Sequence, residues 1–176
     1  MVSPKVARWL VFGVGNPSRG DDAIGPVLLE RLEAWRASAR EMPIDLTLLT
    51  DFQWQIEHAL DLAGVDVAIF VDASLTAGAP FRMERLAARF DVTYTTHALS
   101  PACVLAVAAR LGQALPEAWL MSIPGRDFEL GAPLGGASRA HLDAAFDFLC
   151  ASCAAGRLDA QRPMRDPLPG GAPTDA

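Results

Sequence analysis

The chain has 176 residues, 51% of them hydrophobic, enough for one domain to bury a substantial core without disulfides. Its 15 Lys and Arg stand against 21 Asp and Glu, a formal net charge of -6, and the basic residues are scattered. No basic stripe is available to neutralise a run of phosphates, so nucleic acid is not expected as a partner. No apolar run approaches the roughly 20 residues of a transmembrane helix, so no membrane association is expected. The opening MVSPKVARWLVFGVGN reads poorly as a signal peptide, because its apolar run is short and flows into a Gly-rich turn. Cys103, Cys150 and Cys153 are an odd set that argues for reduced thiols. A cytoplasmic location is the expectation.

In chain order, RWLVFGV (8–14) predicts a buried strand entering a Gly-Val-Gly-Asn turn. PVLLERLEAWRASARE follows, with Val27, Leu28, Leu32 and Trp35 at helical spacing. Pro26 suits the first helical position, while Asp21 or Asp22 could instead cap an earlier start. IDLTLLT (44–50) predicts a second strand, and WQIEHALDLAG (54–64) a helix capped at Gly64. VAIFVDAS (67–74) is the clearest strand, and FRMERLAA (81–88) fits strand and helix alike. After Pro101, ACVLAVAARLG predicts a helix stopped at Gly112. AWLMSI (118–123) is a strand broken by Pro124-Gly125, and SRAHLDAAFDFLCASCAAG (138–156) a final helix.

From Arg157 onward, Pro, Gly and small residues dominate, so 157–176 is expected to be a disordered tail behind a single domain of 1–156. The alternation of strands and helices implies an α/β fold: a three-layer α/β/α sandwich around a largely parallel sheet of about five strands. In such sheets ligands gather beyond the carboxyl ends of the strands.

GVGNPSRGDDAIG (Gly13–Gly25) lies between a strand and a helix, as a nucleotide loop would. The dinucleotide fingerprint needs a third glycine where Ser18 stands, and the P-loop needs a lysine where Asp21 and then Asp22 stand. Adjacent carboxylates would repel a polyphosphate. A helix cap explains Asp21 and leaves Asp22 as a functional carboxylate. Asp72 directly follows the apolar run AIFV, where it meets either a cation or the backbone N–H groups of an Asp-Ala-Ser turn. His97, in YTTHALSPA, is either a capping residue or a third member of the same sheet edge. Two carboxylates and an imidazole form a donor set suited to a divalent first-row metal.

GVGNPSRGDDAIGP, VDVAIFVDAS and THALSP occur in the order found in hydrogenase maturation proteases, and the chain resembles that family from about Leu10 to Ile123. The resemblance implies an endopeptidase that trims the C-terminal extension of a nickel-loaded hydrogenase large-subunit precursor. It assigns Asp22, Asp72 and His97 as metal-binding and catalytic residues, with Asp22 where many members carry Glu. Nickel would come with the bound precursor, and no permanent organic cofactor is implied. DFQWQIEHALDLAG (Asp51–Gly64) also resembles members that serve NAD-reducing hydrogenases, or else forms a general docking helix. Glu57 and His58 within it read as a solvated face. Ser100 and Cys103 read as a helix-start residue and a small core residue, and Cys150 and Cys153 as residues on a packing face. Two other readings stand beside the protease: a non-catalytic metallochaperone or assembly factor, and a nucleotide-binding regulator.

Overall fold

A computed structural model describes residues 5–39, 41–90 and 99–159. His97 and the segment 160–176 lie outside them. Five strands are present: β1 (Ala7–Val14), β2 (Ile44–Asp51), β3 (Val67–Ser74), β4 (Arg82–Arg85) and β5 (Glu117–Pro124). They form one sheet in the order β2-β1-β3-β5-β4, parallel except for β4, which pairs antiparallel with β5 at the edge. The ambiguous FRMERLAA segment is thus resolved as an edge strand.

The central strands β1 and β3 are apolar on both faces because both faces are covered. Trp9 and Val11 point to one side with Ile69, Val71, Met121 and Ile123. There they meet Leu28 and Leu32 of α1 (Ile24–Ser38) and Leu142 and Leu149 of α3 (Gly136–Ala155). Leu10 and Phe12, one residue out of phase, point to the other side with Ala68 and Phe70. That face is covered by Val104 and Leu105 of α2 (Pro101–Arg110) and by Trp54, Ala59 and Leu62. The result is the expected α/β/α sandwich. Burying each large apolar side chain contributes roughly 1.5–3 kcal/mol against the entropy of ordering the chain.

Two local expectations need correction. WQIEHALDLAG is not an α-helix but a 3-10 helix over Ile56–Leu62. Its buried Ala59 and Leu62 are three residues apart, which aligns them on one face at three residues per turn. Asp21 and Asp22 do not cap a helix. They lie inside a 3-10 turn, Gly20–Ala23, that runs directly into α1, and neither turn nor helix receives a side-chain cap. Pro26 then falls at the third helical position, where its missing N–H still costs nothing.

Candidate functional site

In this strand order β1 connects to β2 on one side, and β3 to β5 on the other. The crevice between the carboxyl ends of β1 and β3 is therefore the topological switch point, where α/β sheets bind ligands. Asp22 arrives there on the loop after β1, and Asp72 from β3.

The loop after β1 is built around Gly15 and Asn16. Gly15 has φ of 139°, and a Cβ there would lie 1.9 Å from the Asp22 carbonyl oxygen, so only glycine fits. The Asn16 side chain accepts the Ser18 N–H at 2.9 Å, and its carbonyl accepts the Arg19 N–H at 3.1 Å. The Asn16 N–H donates to Asp22 Oδ2 at 3.0 Å, which fixes that carboxylate over the loop. The remaining amides are also engaged: Gly15 with Asp51, Gly20 with Ala132, Asp21 with Asp127 and Asp22 with Arg19. A phosphate loop needs free N–H groups pointing at the ligand. This loop has spent its own, which adds to the charge argument against a nucleotide.

Asp72 lies within β3, paired in register with Ser122, rather than in the turn beyond it. Ser74 takes the turn role, its Oγ accepting the Thr76 and Ala77 N–H groups at 3.2 and 3.1 Å. Burial, with a smaller push from the charge of Asp22 and against partial relief from the Ala73 N–H, raises the Asp72 carboxyl to about 6. The structure thus brings Asp22 and Asp72 together as a mutually repelling pair, a donor set suited to a cation. Among the described residues, no group of three or more His, Cys, Asp or Glu is placed to hold a metal. The third member expected from the sequence, His97, falls outside them.

Asp21 has a part the sequence did not suggest. It is 1% exposed, and its carboxylate accepts four hydrogen bonds from the segment after β5. Gly135 N–H donates to Oδ1 at 2.8 Å; Arg126 N–H, Asp127 N–H and the Ser138 hydroxyl donate to Oδ2 at 2.7, 3.1 and 2.7 Å. Burial alone would raise its pKa, but these bonds together hold it below the ordinary carboxylate value. The clue available in the sequence was the second acid itself, directly beside Asp22.

His58 is not on a solvated face. Its Nδ1 accepts the Gln55 N–H at 3.0 Å, so Nε2 carries the proton towards Asp51 Oδ2 at 3.2 Å. The ring packs edge-on to Phe12, with centroids 4.5 Å apart. Both nitrogens are engaged within the protein. Ser100 accepts the Cys103 N–H at the start of α2, as a helix-start residue should, and Cys103 is half-buried. Cys153 is buried, and burial pushes the Cys150 and Cys153 thiols up to about 11 and 12.

No protein-family model matches the chain, and no curated protein does. Solved structures do. The chain is similar to the hydrogenase maturating endopeptidase HybD from E. coli, at 26% identity over 82% of this chain and 91% of that one, with a TM-score of 0.62. It is also similar to a hydrogenase 2 maturation peptidase from a Thaumarchaeota archaeon, at 25% identity over 82% and 97% of the two chains, TM-score 0.56. The [NiFe] hydrogenase maturation protease HycI from Thermococcus kodakarensis shares the fold at 20% identity, covering 84% and 93%, TM-score 0.63.

Proposed function

We propose that this chain, which belongs to the hydrogenase maturation protease family, is the endopeptidase that removes the C-terminal extension of a nickel-loaded hydrogenase large-subunit precursor. The observation that carries the reading is the Asp22–Asp72 pair at the switch point, beside a loop whose amides are closed to phosphate. His97, from the segment before α2, is assigned as the third side chain of the set. Membership of the subgroup serving NAD-reducing hydrogenases rests on the Asp51–Gly64 segment, whose exposed Phe52, Ile56 and Leu60 follow β2 at the same sheet edge.

The chain's own groups divide the work. Asp22, oriented by the Asn16 N–H, presents a carboxylate at fixed height over the crevice. Asp72, with a carboxyl raised to about 6, is mostly ionised at neutral pH yet a better proton acceptor than an ordinary carboxylate, and a cation between the two acids would relieve their repulsion. A nickel ion carried by the precursor would polarise the scissile carbonyl and lower the pKa of an attacking water. Nucleophilic chemistry by a thiol is disfavoured at Cys150 and Cys153, since raised pKa values leave little thiolate. No helix among the described residues is long and apolar enough to cross a membrane. Free thiols at all three cysteines fit the reducing cytoplasm, which this reading assigns as the compartment.

The test is incubation of the protein with precursor purified with and without nickel, read by mass. Shortening of the nickel-loaded form alone is the expected result, and His97→Ala should abolish it while leaving the circular dichroism spectrum unchanged. A precursor that is bound but never shortened would instead identify a metallochaperone. Cleavage by His97→Ala at the wild-type rate would remove that residue from the site.

A further inference from the structure

The acidic pair at the head of α1 is split between two tasks. At three residues per turn, adjacent positions of the Gly20–Ala23 turn project about 120° apart, so the two carboxylates cannot face the same way. Asp22 faces Asn16 and the crevice; Asp21 faces inward, with both oxygens occupied by donors from residues 126–138. One donor meets Oδ1 and three meet Oδ2, and the residue is 1% exposed, so this carboxylate is turned away from the crevice and committed to the protein's own N–H and O–H groups.

We infer that Asp21 is the positioning residue of this site: its buried carboxylate bolts the segment after β5 to the loop after β1 and thereby sets where the Asp22 carboxylate stands. The inference rests on the reading of Asp22 as a site residue and adds the group that holds it there. Several contacts make the bolt rigid. The Asp21 N–H donates to the Asp127 carbonyl at 2.6 Å, Gly20 N–H to Ala132 at 3.0 Å, and Gly131 N–H back to Ser18 at 2.7 Å. Arg19 Nε reaches the Phe128 carbonyl at 3.2 Å. The fit is close as well as bonded. A Cβ on Gly125 would come within 2.9 Å of Asp21 Cβ, and one on Gly135 within 3.1 Å of Oδ1. Gly135 is also the N-cap of α3, so Asp21 supplies from across the chain the acceptor that this helix start lacks in its own sequence. Because Asp21 and Asp22 share a peptide unit in a four-residue turn, releasing the first carboxylate frees the second to drift. A displacement of about 1 Å in a catalytic group costs on the order of a hundredfold in rate.

Two variants and one reporter amide test this. The Asn16 N–H is held by Asp22, so its hydrogen exchange reports the place of Asp22 independently of catalysis. The Arg126, Asp127 and Gly135 amides report the bolt itself. In Asp21→Asn, an isosteric change, all four amides should exchange at least about tenfold faster. On nickel-loaded precursor, kcat should fall at least about tenfold with KM little changed. Ser138→Ala, which removes one of the four donors, should move both readouts the same way by less. Faster exchange at residues 126–135 with wild-type exchange at Asn16 and wild-type kcat would overturn the inference, leaving Asp21 a purely structural clamp. Should Asp21→Asn not fold, Ser138→Ala decides by the same comparison. If the wild-type chain cleaves no precursor, the protease reading fails, and the Asn16 amide still decides whether Asp21 positions Asp22.

Discussion

Asp72 is held in a form the folded protein disfavours. Its carboxyl titrates at about 6 when folded against 3.8 ordinarily, so between those values the native state binds the extra proton. Stability therefore falls as pH rises through that window and is fully recovered below about 4. A shift of about two units corresponds to at most about 3 kcal/mol, and partial exposure brings the expected figure to about 1–2 kcal/mol. Asp72→Asn should accordingly raise the unfolding temperature at pH 8, show no gain at pH 4, and lose cleavage. Thermal unfolding at the two pH values, with a cleavage assay at the higher one, checks all three. A variant destabilised at pH 8 would mean that Asp72 is a structural acid. Asp21 has the opposite signature: its lowered pKa contributes stability that is lost as pH falls towards and below the ordinary carboxylate value.

The 3-10 helix after β2 depends on His58. With Nδ1 accepting from Gln55 and Nε2 donating to Asp51, the ring ties the first turn of this helix to the end of β2. His58→Ala should cost about 1–2 kcal/mol, the worth of these bonds plus the Phe12 contact, while cleavage stays within about threefold of wild type. Equilibrium urea unfolding with a parallel kinetic assay measures both. Loss of cleavage in a variant that remains folded would return His58 to the list of site residues. The case also shows where reading the sequence runs out. β1 and β3 were legible because a strand covered on both faces is an unbroken apolar run, β2 and β5 as shorter apolar-rich runs marked off by Pro43 and by Pro124-Gly125, and α1, α2 and α3 because their apolar positions recur at helical spacing. The short 3-10 helix was not: seven residues hold too few turns to separate a period of 3.0 from 3.6. The loop after β1 was legible through Gly15, which no other residue can replace. The bonds that define Asp21 and His58 were not, because those of Asp21 come from more than a hundred residues away, and those of His58 depend on where a turn points.

At the scale of the whole molecule, strand order turns scattered acids into a site. The sequence orders Asp22 and Asp72 far apart, and only the arrangement β2-β1-β3 places the loop after β1 beside the end of β3. The same sandwich determines how much of the chain it needs at its carboxyl end. Composition changes at Arg157, yet packing continues beyond it. Gly156 ends α3 at φ 63° in close approach to Pro43, the Arg157 N–H donates to the Ser152 carbonyl, and Leu158 lies against the core face that contains Ile44. A chain ending at Asp159 is therefore expected to unfold within about 2 °C of the full chain and to cleave precursor normally, since nothing described is removed. A chain ending at Gly156 loses the Leu158 contact and the Arg157 hydrogen bond, and should be less stable by about 1–2 kcal/mol. Differential scanning calorimetry of the three lengths separates these outcomes. Equal stability for the two truncations would place the domain boundary at residue 156, where composition alone puts it, and a large loss in the longer one would assign residues 160–176 a part in the fold.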